Sequence, residues 1–166
     1  MGLYVHQSIA HTTKRPADFE TEGVECMWVE VKLSASSAIL VGYVYRNPAW
    51  YDDSVEMMDK VNERNSNIIL LGYFNFYLLK SHPAWESVTF LLGLHQLIRC
   101  AARTTQTTTT LLDHIYTNNE HMVSNAHVSD ICMSDHCPII CTWPCKPPKK
   151  LAKGHTSVHY LSLIHI

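Results

Sequence analysis

The stretch Ile68-Ile69-Leu70-Leu71-Gly72-Tyr73-Phe74-Asn75 decides the reading of this chain. Four consecutive apolar residues suit a short strand buried on both faces. Gly72 stops it, and Tyr73, Phe74 and Asn75 follow as a strand end. Upstream, Asp53 to Arg64 predicts a helix. Val55, Met58 and Val61 form its apolar stripe, Asp53 and Glu56 a capping pair, and Asn65 to Asn67 its break. Before that helix, Cys26 to Leu33 alternates as a half-buried strand, and Ala38 to Tyr45 reads as a more fully apolar strand ended by Asn47-Pro48. Met1 to Ile9 admits a strand, and His11 to Gly23 reads as a loop. Downstream, Ala84 to Leu92 predicts a second helix, with Pro83 in its first turn and Gly93 at its end. Thr104 to Thr110 reads as a polar loop or exposed edge. Leu111 to Thr117, Met122 to Val128 and Cys137 to Trp143 predict further strands. Strands outnumber helices and two strand–helix–strand passages occur. The pattern predicts an α/β (α+β) fold, a mixed sheet with helices outside.

A chain of 166 residues fits one domain, and 46% apolar against 17% charged residues is the composition of a folded one. Lys plus Arg is 13 and Asp plus Glu 15, a net charge of −2. A stand-alone nucleic-acid binder carries a basic excess, so that class is disfavoured; an enzyme touching a short piece of backbone is less so. Met1 to Ala10 lacks the basic start and apolar core of a secretory signal, and no apolar run is long enough to span a bilayer. An intracellular setting, nuclear or cytoplasmic, is expected. Of six cysteines, Cys132, Cys137, Cys141 and Cys145 crowd around His136, but no CxxC pair is present. That spacing favours reduced, partly buried thiols over a zinc site. Trp28, Trp50, Trp85 and Trp143 read as core, and Arg46 as a phosphate contact or a surface arginine. After Trp143 the chain turns proline- and lysine-rich. The domain is expected to span residues 1–143, followed by an unstructured tail, 144–166, whose end resembles translated adapter sequence.

Three polar clusters sit at ends of apolar strands: Gly72 to Asn75, Leu112-Asp113-His114, and Ser134-Asp135-His136. Singly, each is an ordinary turn or cap. Together they suit phosphate-ester hydrolysis. A carboxylate holds Mg²⁺ through oxygen, metal and imidazolium neutralise charge on the phosphoryl oxygens, and a second carboxylate orients the imidazole. Asp135, Asp113 and His136 suit those roles, and the Asn75 amide can orient a water or a phosphate oxygen. His114 points to the opposite strand face from Asp113.

The joint order of motifs resembles the endonuclease/exonuclease/phosphatase superfamily, and within it the endonuclease domain of non-LTR retrotransposons. Gly42 to Pro48 is similar to that family's "vYRPP" strand end, and Ile69 to Asn75 to its "llGDFN". Gly93 to Ile98 resembles "GL.Qlv". Arg103 with Leu111 to Asn118 resembles "TR…tLLDhiftn", and Ser134 to Ile139 resembles "SDHxPv". The resemblance covers residues 1 to 143. It implies a four-layer sandwich of two mixed sheets flanked by helices. It also implies Mg²⁺-dependent phosphodiester cleavage, nicking DNA as part of a longer protein with a reverse transcriptase. By the same resemblance, Asn75 is the active-site asparagine, Asp113 the aspartate that orients the catalytic histidine, Asp135 the metal-side aspartate and His136 the phosphate-contacting histidine.

Two departures predict a degenerate, inactive copy. Tyr73 stands where the family has the aspartate of "GDFN". A phenol, with a pKa near 10 against about 3.9 for Asp, is a poor base and metal ligand at pH 7. The chain also begins after the segment that carries the family's first strands and metal-binding glutamate; Glu20, Glu22, Glu25 and Glu30 do not match that motif. A non-enzymatic binding remnant and a small-molecule or lipid phosphatase are the competing functions.

Overall fold

The computed structural model describes residues 3–6, 9, 11–14, 24–34, 36–47, 51–63, 67–80, 83–132, 134–145 and 159–165. Its centre is a six-stranded mixed sheet built on β4 (Asn67–Tyr73), the apolar stretch that anchored the sequence reading. β3 (Ala38–Arg46) lies parallel to β4 and is joined to it through helix α1 (Tyr51–Asn62), the crossover that a parallel pair requires. Outward from β3 come β2 (Val24–Lys32) and β1 (His11–Lys14), both antiparallel. On the other side, β8 (Asp113–Thr117) runs antiparallel to β4, and β5 (His95–Gln96) pairs with β8. Between them, β6 (Arg103–Thr104) and β7 (Thr109–Thr110) form a small hairpin. A second sheet has the order β11-β10-β9, with β9 Asn125–Val128, β10 Ile139–Cys145 and β11 His159–His165.

Period-two alternation divides the core in two. Leu40, Val44, Ile68, Leu70 and Tyr116 face the helices, where Met57, Met58 and Val61 of α1 and Trp85 of α2 (Pro83–Leu91) cover them. Ile39, Val41, Ile69, Leu71 and Ile115 face the other way and pack against Ile139, Cys141 and Trp143 of β10. The layers are therefore helices, large sheet, small sheet. Among the described residues the small sheet is antiparallel and no helix covers its outer face, so the fourth expected layer is absent from that part of the chain.

Gly42 is fixed by packing. Trp28, its partner on β2, lies across it, and a Cβ there would sit 2.2 Å from the indole. Gly72 has φ 144° and would drive a Cβ into the Val44 carbonyl.

Four readings need correction. His11–Lys14 is a strand, paired along Val31 to Trp28, within what composition marked as loop; Leu3–His6 has no regular structure. Arg46 is buried, with its guanidinium 3.8 Å over the Phe76 ring and Nη1 donating to the Phe74 carbonyl. It braces the strand end from inside and is no surface group. β10 runs past Trp143 to Cys145, and His159–His165 pairs along its whole length, where an unstructured tail was expected. The cysteines are not all thiols: Cys132 and Cys137 form a disulfide, Cys141 is buried, Cys26 half-buried and Cys100 exposed. Trp28, Trp85 and Trp143 are core; Trp50 and the Asp53 side chain lie outside the described residues.

Candidate active site

Strand register builds the site. It pairs Glu25 with Tyr45, Tyr45 with Tyr73, and Tyr73 with Asp113. Paired positions on adjacent strands share a face. Glu25, Tyr45, Tyr73 and Asp113 therefore form one row across the end of the large sheet, on the side facing the small sheet. The Tyr45 and Tyr73 rings stack, 5.8 Å between centroids at 15°.

The loop before β10 closes on this row. His136 Nδ1 donates to Asp113 Oδ2 at 2.8 Å, and Asp113 is only 2% exposed. That bond fixes the tautomer; among the described residues Nε2 has no partner. The His136 ring lies 5.9 Å from Tyr73. The exposed Asp135 carboxylate accepts from Arg103 Nε at 2.8 Å. That hydrogen bond, with the charges of Arg103 and His136, holds the Asp135 carboxyl below its ordinary pKa.

Backbone bonds strap this loop to the β6–β7 hairpin: Thr104 N–H to Asp135 O at 2.8 Å and Cys137 N–H to Ala102 O at 2.7 Å. Ser134 Oγ accepts from His136 N–H, and the Cys132–Cys137 disulfide closes the loop around Asp135 and His136. Asn75 joins through Tyr73, whose hydroxyl donates to Asn75 Oδ1 at 3.5 Å. Its φ of 58° is a left-handed conformation that Asn tolerates better than most side chains.

Asn75, Asp113, Asp135 and His136 are thus drawn to one rim, with Tyr73 among them. Burial raises the Tyr73 pKa, and Asp113, Tyr45 and Asp135 add to the rise against the opposing charge of Arg103. The phenol is neutral at pH 7. A Mg²⁺ ion wants several oxygen donors at short range. Here Asp113 is committed to His136, Asp135 to Arg103, and position 73 offers an uncharged phenol. No group of three His, Cys, Asp or Glu among the described residues could hold a metal. This donor set does not fit the ion.

His114 lies on the helix face, as alternation predicts. Its Nε2 bonds to the Phe76 carbonyl at 3.0 Å and its Nδ1 accepts from Tyr116 Oη, which accepts from Trp85 Nε1. Burial pushes its pKa down to about 4, so it is a neutral core group. Sequence reasoning missed Arg103 as a site residue and Tyr45 as the neighbour of Tyr73. The signal for Arg103 was its place in the stretch that resembles "TR…tLLDhiftn", just before the threonine run. The Tyr45–Tyr73 pairing needs a register that no local pattern supplies.

No protein-family profile matches the chain, and no curated protein does. Solved structures do. The endonuclease domain of TRAS1, a telomere-specific non-LTR retrotransposon, superposes with a TM-score of 0.59 at 17% identity, over 78% of this chain and 64% of that one. An endonuclease/exonuclease/phosphatase family protein from Leptotrichia buccalis gives 0.52 at 16% identity, over 71% and 60%. One from Bacteroides thetaiotaomicron gives 0.53 at 18% identity, over 70% and 54%. The chain spans less than two thirds of each of these structures. Among the described residues no helix is long and apolar enough to cross a membrane. A mixed sheet with its polar strand ends gathered at one rim, superposing on all three, gives this chain the fold of the endonuclease/exonuclease/phosphatase proteins.

Proposed function

We propose that this chain is a phosphodiester-binding domain derived from a Mg²⁺-dependent DNA endonuclease of a retrotransposon, and that it does not turn over. The carrying observation is the Asp113–His136 pair, 2.8 Å apart, beside the Arg103–Asp135 pair, with the Tyr73 ring 5.9 Å from that of His136. The outer nitrogens of Arg103, and His136 Nε2 when the ring is protonated, offer donors to a phosphate. Asp113 positions His136, and the Asn75 amide stands beside Tyr73. What the arrangement lacks is an unengaged base: among the described residues Asp135 is paired with Arg103, Asp113 is bonded to His136, and position 73 offers a phenol. Because the donors do not fit Mg²⁺, no hydrolytic step is assigned. The DNA backbone as ligand, descent from a protein that also carried a reverse transcriptase, and an intracellular setting belong to the same proposal. In a reducing compartment the Cys132–Cys137 pair would open. Hydrogen bonds alone would then hold the loop.

The test is a nicking time course on supercoiled plasmid in Mg²⁺. The chain is expected to be silent. Tyr73→Asp is expected to recover little, since loss of one electrostatic contributor typically costs about 10² to 10³ in rate and the metal donors remain too few. Mg²⁺-dependent nicking that His136→Ala abolishes would overturn the inactive reading. The non-enzymatic binding reading is favoured by the same neutral phenol, and it predicts that His136→Ala weakens oligonucleotide binding.

A further inference from the structure

The aromatic part of the row is unexplained by phosphate chemistry. Tyr45 is 41% exposed, and its one aromatic partner among the described residues is Tyr73. The two stacked rings stand at the rim, next to His136 on one side and Glu25 on the other. Parallel aromatic faces beside cationic groups are how proteins hold single-stranded nucleic acid: a base adds to the stack while its phosphate meets the cations. The charges at this rim allow it. Asp135 is paired with the Arg103 guanidinium, Asp113 is hydrogen-bonded to His136, and position 73 carries no charge to repel a phosphate. Glu25 flanks the outer side of Tyr45, so the backbone is directed to the Arg103–His136 side. A duplex keeps its bases stacked inside and cannot offer a face to Tyr45.

We propose that Tyr45 and Tyr73 form a stacking platform for an unpaired base of a single-stranded nucleic acid whose phosphate lies at His136 and Arg103. The inference rests on the phosphodiester-binding reading above. The exchange of a carboxylate for Tyr73 then converts a hydrolytic cleft into a strand-holding one, since the ring fills the place of a charged group and extends the aromatic surface of Tyr45.

The experiment is fluorescence anisotropy with the full chain and three probes: labelled (dT)10, the same backbone with abasic sites, and a duplex of equal length. The wild type is expected to bind (dT)10 about tenfold or more tightly than either other probe, the size of one base stacked on an aromatic ring. Tyr45→Ala is expected to erase that preference, and Tyr45→Phe to keep it. Tyr73→Asp is expected to weaken (dT)10 most. His136→Ala and Arg103→Ala are expected to weaken both single-stranded probes alike. Equal binding of (dT)10 and the abasic strand by the wild type overturns the platform but leaves phosphodiester binding standing, and it needs no variant. No binding of either single strand overturns both readings. A preference for (dT)10 that survives Tyr45→Ala overturns the role of Tyr45.

Discussion

His114 and His136 show how one residue type takes opposite parts. His136 lies at the rim, tied to Asp113. His114, on the neighbouring strand face, is fully buried in a chain of bonds from Trp85 through Tyr116 to the Phe76 carbonyl. Its folded pKa of about 4 lies below the unfolded value of about 6.5, because burial disfavours the cation. The unfolded chain therefore binds the proton first. The stability His114 contributes is complete above pH 6.5 and is lost as pH falls towards 4, by up to about 1.4 kcal/mol per pH unit. Urea midpoints between pH 7 and 4.5 are expected to fall more steeply for the wild type than for His114→Gln. Equal slopes would remove His114 from this account.

At the scale of the element, β2 and β3 depend on one close contact. Trp28 occupies the space above Gly42, in the same core cluster as Met57, Met58 and Leu40. An added methyl must push the indole aside. Gly42→Ala is expected to destabilise by about 1–3 kcal/mol, the usual cost of overpacking, with a lower urea midpoint, an unchanged m-value and a shifted tryptophan emission. An unchanged midpoint would mean that Trp28 has another place to go. This element also shows the reach of local sequence. The alternation of Val29 and Val31 against Glu30 and Lys32 announces β2, and the apolar run at Ile68 announces β4. β1 was hidden, because four polar residues, His11 to Lys14, carry no period and are strand only by pairing with β2.

For the whole molecule, the decisive contact is between sheets. Ile139, Cys141 and Trp143 of β10 cover the face of the large sheet, and the same strand begins three residues after His136. Docking of β10 therefore sets the height of the imidazole over Asp113. Trp143→Ala is expected to cost about 3–5 kcal/mol, a large part of the stability of a domain this size. It should also speed hydrogen exchange at the Cys137 amide, which now donates to Ala102. Trp143→Phe should cost much less, since the indole N–H has no partner among the described residues and its loss leaves no donor behind. Fast exchange at Cys137 in Trp143→Phe alone would contradict the coupling.

By itself the sequence determined the strands with a clear period, both helices, the strand-end position of Asn75, Asp113, Asp135 and His136, and the change of character at Tyr73. These are local properties: apolar spacing, turn residues and side-chain chemistry act over a few positions. Only the tertiary structure decided that Glu25, Tyr45, Tyr73 and Asp113 stand in one row, that Arg103 holds Asp135, that Arg46 is buried, and that Cys132 meets Cys137. Each of these is a meeting of residues fixed by strand register or loop closure between segments apart in the chain. Register follows from which faces are buried together, and that is a property of the packed sheets.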